Sequence, residues 1–240
     1  RRMASLADGA QRDELFALAK TLDHVPAKPA RTFREALQSV HLFLYCLYGI
    51  YSAGRPDQYL LPYYRRDIEA GILDEASAQE LIDSFCLQYM NNMSAWAAAG
   101  FMIGGRDPDG NPVENELTWH FLTAIRHTHT PDPNVGFCVT EETSGEILAY
   151  AAEIIREGHG NPQIWNSDKV TASMLRYGYD RRDANNFTHS TCVEITPIGC
   201  SGVSITSPYI NMLKIFTETF MKCPADIGFE ELFESYRRDF

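Results

Sequence analysis

The residues best able to do chemistry lie in the stretch Thr191-Cys192-Val193-Glu194-Ile195-Thr196-Pro197. It holds a thiol and a carboxylate two residues apart. Side chains alternate across an extended strand, so Cys192 and Glu194 would face the same side of the backbone and open into one pocket. A Gly-rich turn follows, and Ser207 and Pro208 then carry the signals of a helix start.

The residue types alone also allow other roles for the Cys192 thiol. His189 lies three positions before Cys192, so an ordinary thiol enzyme with a Cys–His pair is one alternative. The general expectation for a lone cysteine is a small buried hydrophobic residue. That is the interpretation for four others, which are Cys46, Cys86, Cys138 and Cys223, and Cys200 is assigned to the structure of its turn.

Composition excludes several classes of function. The chain has 240 residues, is 45% hydrophobic and carries a formal net charge of −11. Without a basic patch it is not expected to bind nucleic acid. No apolar run reaches the roughly 18 residues of a membrane span, and no signal peptide is visible. The six cysteines and seven histidines lack metal-ligand spacing, so no metal site is expected. We expect reduced thiols in a cytoplasm.

Hydrophobic periodicity predicts helices that alternate with short strands, the pattern of an α/β fold with parallel pairing. Predicted helix starts are Thr32 with Glu35 as a capping box, Asp74, Asn115, Ser144 and Asp168. Predicted strands cover about 97–105, 134–140 and 162–166. The helix that begins at Thr32 is apolar nearly all round from Leu42, which predicts deep burial. Residues 1–30 are interpreted as an N-terminal helix and linker, and 31–240 as one larger domain.

A polar turn lies between two aromatic-rich apolar runs. It contains Gly54, Arg55, Asp57 and Gln58. Polar groups in such a place need partners, so a hydrogen-bond network is expected. Two interpretations remain open, a structural turn held by an Arg–Asp pair and direct contact with a ligand.

Several ordered motifs together resemble one known family. They are Pro29-Ala30-x-Thr32-Phe33-x-Glu35-Ala36-Leu37-Gln38, Gly54-Arg55-x-Asp57-Gln58-Tyr59-Leu60-x-Pro62-Tyr63-Tyr64, Gly104-Gly105-x-Asp107-x-x-Gly110, Asn115-Glu116-Leu117-Thr118, Gly158-x-Gly160-x-Pro162 and Cys192-Val193-Glu194. The ordered set, from about residue 29 to 222, resembles the glycyl radical enzymes. It is most similar to the pyruvate formate-lyase-like branch of dehydratases, lyases and decarboxylases.

The resemblance implies a fold and a mechanism. The fold would be part of a ten-stranded α/β barrel, with helices outside the strands and the Cys loop inside. Cys192 would carry a thiyl radical that abstracts a hydrogen atom from the substrate, and Glu194 would transfer a proton while a C–O, C–N, C–S or C–C bond breaks. A closed barrel would exclude water. The single Cys followed by Glu194 favours elimination or decarboxylation over acyl transfer.

Some positions depart from the family pattern. Thr191 stands where the family usually has Gly, and Ile195 where Pro is more common. The family's radical-storing glycine motif is not found, because Arg176-Tyr177-Gly178-Tyr179 precedes the Cys and reads as a helix end. We therefore expect this chain to be part of a longer protein, with the glycyl radical outside it, and to be inactive alone.

The resemblance also implies partners and further site residues. These are a radical-SAM activating enzyme, a small polar substrate, no bound cofactor, and a homodimer when full-length, working anaerobically. Five residues are candidate substrate contacts, namely Ser52, Asp57, Trp96, Thr206 and Tyr209. The competing hypothesis is a non-catalytic or truncated relative that acts as a binding or scaffold module.

Overall fold

The structure is a computed structural model that describes residues 1–47, 52–91, 100–158, 160–190, 194–200 and 211–240. The chain divides into two compact units, Arg1–Gly202 and Val203–Phe240. The domain boundary predicted at residue 30 stays a prediction.

Five strands lie in the described residues of the first unit. They are Gly100–Gly104 (β1), Asn134–Val139 (β2), Gln163–Asn166 (β3), Phe187–Ser190 (β4) and Glu194–Pro197 (β5). β1, β2 and β3 form a parallel sheet in that order, which confirms the predicted α/β pattern with parallel pairing. β4 and β5 form an antiparallel hairpin. The ten-stranded barrel stays a prediction.

Helices connect and flank these strands. In the first unit they are Gly9–Leu22 (α1), Phe33–Cys46 (α2), Pro56–Tyr59 (α3), Leu61–Glu69 (α4), Glu75–Asn91 (α5), Glu116–Thr128 (α6), Gly145–Arg156 (α7), Ser167–Arg176 (α8) and Arg181–Asn185 (α9), after a 3₁₀ turn at Ala4–Leu6. The second unit contains Met212–Lys222 (α10) and Phe229–Asp239 (α11).

The parallel sheet is covered on both faces, as a buried parallel sheet requires. On one face, Phe101 and Phe137 join the large core formed with α2, α4, α5, α6 and α7. The rings of Phe101 and Phe121 meet edge to face with centroids 5.0 Å apart. On the other face, Met102 and Cys138 form a second cluster with residues of α8, α9 and the β4–β5 hairpin. The sheet therefore carries α2, α4, α5, α6 and α7 on one side and α8, α9 and the hairpin on the other.

Most predicted helix starts are confirmed by side-chain caps. The Thr32 hydroxyl accepts the Glu35 amide at 3.1 Å, but the Glu35 carboxylate bonds the Arg31 amide, so only half of the predicted capping box forms. Asp74 accepts the Ser77 amide, and Ser144 caps α7. Asn115 makes a full capping box on α6 with Thr118.

The predicted helix cap at Asp168 is wrong, and the one predicted at Ser207 lies outside the described residues. α8 is capped by Asn166 rather than Asp168, because the Asp168 carboxylate instead pairs with Arg106 at 2.7 Å. The predicted helix start at Ser207 and Pro208 lies outside the described residues. The described part of that helix begins at Met212 and is capped by Asn211.

The predicted deep burial of the end of α2 is confirmed for Leu44, which lies in the core, but it is wrong for the residues around it. Phe43 and Tyr45 are 58% and 60% exposed, and Cys46 is exposed with them. Of the other cysteines assigned to the core, Cys86 and Cys138 are buried and Cys223 is partly exposed. An apolar run in the sequence shows that a helix surface is apolar, but it does not show whether other residues of this chain bury that surface.

The second unit is a helical pair in its described part. Phe216 of α10 meets Tyr236 of α11 edge to face at 5.7 Å. The Thr219 hydroxyl donates to the Asp239 carboxylate at 2.7 Å, next to this aromatic contact. The two helices therefore pack on each other through this aromatic pair and this hydrogen bond, and Lys222 Nζ of α10 lies 4.0 Å from the same Asp239 carboxylate.

Candidate functional site

The candidate catalytic segment belongs to the β4–β5 hairpin. Residue pairs run from Phe187 opposite Pro197 to Ser190 opposite Glu194. The three residues that link the strands, 191–193, include Cys192 and lie outside the described residues. The predicted common side of Cys192 and Glu194 therefore stays a prediction, while the extended backbone predicted from Glu194 to Pro197 is confirmed.

One side of this hairpin is polar. Thr188 lies opposite Thr196, and Glu194 is two residues from Thr196, so these three side chains share a side. Thr188 and Thr196 are buried, whereas Glu194 is partly exposed. Ser52 borders the same side, because its hydroxyl lies 2.8 Å from the Thr188 hydroxyl. The Ser52 oxygen also accepts the Gly54 amide at 3.1 Å. Two predicted site residues, Ser52 and Glu194, thus border the same side of the hairpin.

The other side of the hairpin faces the parallel sheet. His189 is fully buried there, and its ring stacks on Trp165 with centroids 6.1 Å apart and planes 16° apart. Two glycines make room for the ring. A methyl group on Gly136 would lie 2.9 Å from His189 Cδ2. A methyl group on Gly100 would lie 2.8 Å from His189 Cε1, and it would also collide with the Asn134 carbonyl oxygen of β2, 1.8 Å away. The imidazole therefore occupies a slot that larger residues on β1 and β2 would close.

Burial lowers the pKa of His189, because a charged imidazole is disfavoured away from water. The backbone of Phe101 and Asn134 and the charge of Glu194 oppose this shift. Neither ring nitrogen, however, has a hydrogen bond of normal geometry in the described part of the chain. The backbone groups thus lie near the ring without forming well-aligned bonds, and the ring is held by shape.

Arg55 ties the hairpin to the end of β1. Its side chain is 2% exposed and donates to the Gly104 carbonyl at 2.5 Å and the Phe187 carbonyl at 2.9 Å. Its guanidinium also lies over the Phe187 ring, 5.4 Å from the centroid. Gly105 permits this approach, since a Cβ there would lie 2.7 Å from Arg55 Nη2. The predicted network in this turn is confirmed, and the partners of Arg55 are backbone carbonyls of two strands. The predicted Arg–Asp pair is wrong in its direct form, because among the described contacts Arg55 bonds these carbonyls while Asp57 bonds the Gly104 amide and the Thr118 hydroxyl.

Asp57 is fully buried beside it. Its Oδ2 accepts the Gly104 amide at 2.6 Å and the Thr118 hydroxyl at 2.9 Å. Burial raises the pKa of this carboxyl to about 6, against the opposing effects of the Arg55 charge and these hydrogen bonds. These contacts join β1 to the start of α6. The predicted contact between Asp57 and substrate stays a prediction.

The remaining predicted contacts, Trp96, Thr206 and Tyr209, lie outside the described residues. Within the described ranges, no group of three His, Cys, Asp or Glu side chains could hold a metal ion. Within the same ranges, no helix is long and apolar enough to cross a membrane.

The sequence pattern of the family described as PFL-like, pyruvate formate lyase-like, matches residues 1–222. The chain belongs to this family of glycyl radical enzymes. Its curated relatives carry the names of dehydratases, sulfite-lyases and decarboxylases.

Individual relatives support the assignment of this pyruvate formate lyase-like chain. A trans-4-hydroxy-L-proline dehydratase from Clostridioides difficile is 29% identical over 96% of the chain and 34% of its own length. A solved structure concerned with 1,2-propanediol dehydration in Roseburia inulinivorans superposes with a TM-score of 0.89 at 27% identity, over 99% of this chain and 34% of that one. A glycyl radical enzyme from Archaeoglobus fulgidus gives 0.86 at 28% identity, over 99% of this chain and 35% of that one. The chain thus spans about a third of the length of these relatives.

Sequence reasoning missed two hydroxyl residues that border the candidate site. Thr188 and Thr196 line the same side as Glu194. The period-two spacing of Thr188, Ser190, Glu194 and Thr196 was the available signal. The glycine slot for His189 had no local signal, because Gly100 and Gly136 lie more than 50 residues before it.

Proposed function

We propose that the chain supplies the thiol and the carboxylate of a glycyl radical lyase or dehydratase. Cys192 is the hydrogen-atom carrier and Glu194 the proton carrier. The observation that carries this proposal is the position of Glu194 on the polar side of the hairpin. There it adjoins the residues that hold Cys192 and lies on the side bordered by Ser52.

The reaction proceeds in balanced steps. In the activated protein a glycyl radical, held outside this chain, generates the thiyl radical of Cys192. The sulfur takes a hydrogen atom from a substrate carbon, which forms S–H and leaves a carbon radical. Glu194 accepts the proton of a hydroxyl or amine on that carbon, and the neighbouring C–X bond breaks with the electron pair leaving on X. The product radical then takes the hydrogen atom back from Cys192.

The surroundings suit this chemistry. Thr188 and Thr196 are buried beside Glu194, so this part of the hairpin is shielded from water, while Glu194 itself is partly exposed. Ser52 is the described residue that we assign to the substrate's polar groups. We expect further contacts from Trp96, Thr206 and Tyr209. Asp57 supports the site through Gly104 and Thr118.

The proposed context follows from the family. The whole protein would be a homodimer that works anaerobically in the cytoplasm on a small polar substrate, after activation by a radical-SAM enzyme. It would bind no further cofactor. Substrates named for the relatives, trans-4-hydroxy-L-proline, isethionate and 1,2-propanediol, are the first to be screened.

The test uses the full-length protein activated without oxygen. Cys192→Ala and Glu194→Gln should each abolish turnover of the substrate found by the screen, while electron paramagnetic resonance still detects the glycyl radical. Cys200→Ala and Glu141→Gln are matched controls, because both residues are exposed in this chain. Turnover by Cys192→Ala at the wild-type rate would end the proposal.

A further inference from the structure

The ring of His189 is held between two strands of the sheet rather than by hydrogen bonds. It lies flat against Trp165 and over the backbone of Gly100 and Gly136. A side chain that is fully enclosed in this way has one available position. Because His189 precedes the last residue pair of the hairpin, that position also fixes the end of the hairpin where Glu194 begins β5.

The segment that carries Ser52, which borders the polar side of the hairpin, is attached to the sheet near the His189 ring, at Gly100. The Ala53 amide donates to the Gly100 carbonyl at 3.1 Å, and the Met102 amide donates to the Gly54 carbonyl at 2.9 Å. These bonds attach the segment that carries Ser52 to β1. Gly100 therefore contacts both the ring beneath Glu194 and the segment that bears Ser52.

We propose that His189 is a positioning residue of the active site, whose ring in the Gly100–Gly136 slot sets the placement of Glu194 relative to Ser52. This inference rests on the proposed function. A misplacement of about 1 Å between a catalytic group and a bound substrate can cost about 100-fold in rate. A rigid support beneath the proton carrier therefore bears directly on turnover.

Shape rather than charge explains the role of the ring. Both imidazole nitrogens lack a well-aligned partner in the part of the chain that is described, while the ring stacks on Trp165 and its carbon atoms lie against the backbone of Gly100 and Gly136. A phenyl ring would fill the same slot and stack on Trp165. A methyl group would leave the slot empty and free the hairpin to shift.

The slot can also be closed from the sheet. In Gly136→Ala, the new methyl group would lie 2.9 Å from the His189 ring and 3.0 Å from Met102 Cγ, so the ring must move. Gly145→Ala is the matched control, because a Cβ there meets nothing within 4 Å. His127→Ala is the matched histidine control, since its side chain is 49% exposed.

The experiment compares these variants in the activated full-length protein. His189→Ala and Gly136→Ala should lower kcat about 100-fold, with KM changed less than about threefold and an unchanged glycyl radical signal. His189→Phe should stay within about threefold of the wild-type kcat. Hydrogen exchange of the amides from 187 to 197 should become about tenfold faster in the two defective variants and remain unchanged in His189→Phe.

Results that differ from these expectations contradict the positioning role of His189. A wild-type kcat in both His189→Ala and Gly136→Ala would remove the positioning role. A His189→Phe protein as slow as His189→Ala would assign the role to the nitrogens instead of the ring. If His189→Ala does not fold, Gly136→Ala and His189→Phe give the same decision. Failure of the proposed function would appear separately, as an active Cys192→Ala protein.

Discussion

The Ser52 hydroxyl lies 2.8 Å from the Thr188 hydroxyl, across 136 positions of sequence. This bond joins the segment before α3 to the first strand of the hairpin that carries Glu194. The bond therefore holds the Ser52 segment and the hairpin together at the proposed active site. Removing either hydroxyl tests this connection.

A double-mutant cycle measures this bond. Ser52→Ala and Thr188→Val each remove one hydroxyl, and Val keeps the shape of Thr. We expect each change to lower the free energy of unfolding by about 1 kcal/mol, with a coupling energy of about 0.5–1 kcal/mol in the double variant. Denaturant unfolding of the four proteins gives these values. Strictly additive losses would mean that the two hydroxyls do not interact in solution.

Local signals in the sequence predicted much of this fold. The caps at Asp74, Asn115 and Ser144 were predicted because a helix start depends on side chains within three residues. Parallel pairing was predicted from the alternation of helices and strands. These features need no information about distant parts of the chain.

Long-range contacts account for what the sequence did not predict. Asp168 was assigned as a cap, but an ion pair with Arg106, 62 residues away, takes its carboxylate. The slot for His189 depends on glycines of two other strands. A single sequence gives no pairing between such positions, so the support beneath Glu194 could be found only in the structure.

The capping box of α6 also contributes to the Asp57 network. The Asn115 side chain accepts the amides of Leu117 and Thr118 and donates to the Asp57 carbonyl at 3.0 Å. Asn115→Ala should therefore lower the free energy of unfolding by about 2 kcal/mol, the upper end for a helix cap. Asn166→Ala, whose side chain accepts only the Lys169 amide among the described bonds, should cost about 1 kcal/mol. Equal losses in the two variants would show that the bond to Asp57 contributes nothing.

Arg55 should matter more for stability than any exposed arginine. Arg55→Met leaves the carbonyls of Gly104 and Phe187 without this donor, and each unsatisfied buried group costs about 1–3 kcal/mol. We expect a loss of about 3 kcal/mol or more in denaturant unfolding. Arg65→Met is the control, because Arg65 pairs with Glu116 at the surface, and it should cost about 1 kcal/mol or less. Similar losses from both changes would contradict the buried network.

Asp57 should make stability depend on pH in a direction unusual for an aspartate. Burial raises its pKa to about 6, above the value of about 4 of an unfolded aspartate. The folded protein therefore binds the proton more tightly, and the contribution of Asp57 to stability is fully present below about pH 4 and is lost as the pH rises through about 6. Two pH units correspond to about 3 kcal/mol.

Asp57→Asn removes this titration and keeps an oxygen that can accept from Gly104 and Thr118. The oxygen that it replaces with an amide, Oδ1, has no partner in the described chain. From pH 4.5 to 7, we expect wild-type stability to fall relative to that of Asp57→Asn by about 2 kcal/mol in denaturant unfolding. Asp226→Asn, at an exposed position, should follow the wild-type curve. Parallel curves for the wild type and Asp57→Asn would show that this carboxyl titrates as it does in the unfolded chain, and that the network around Arg55 holds it ionised.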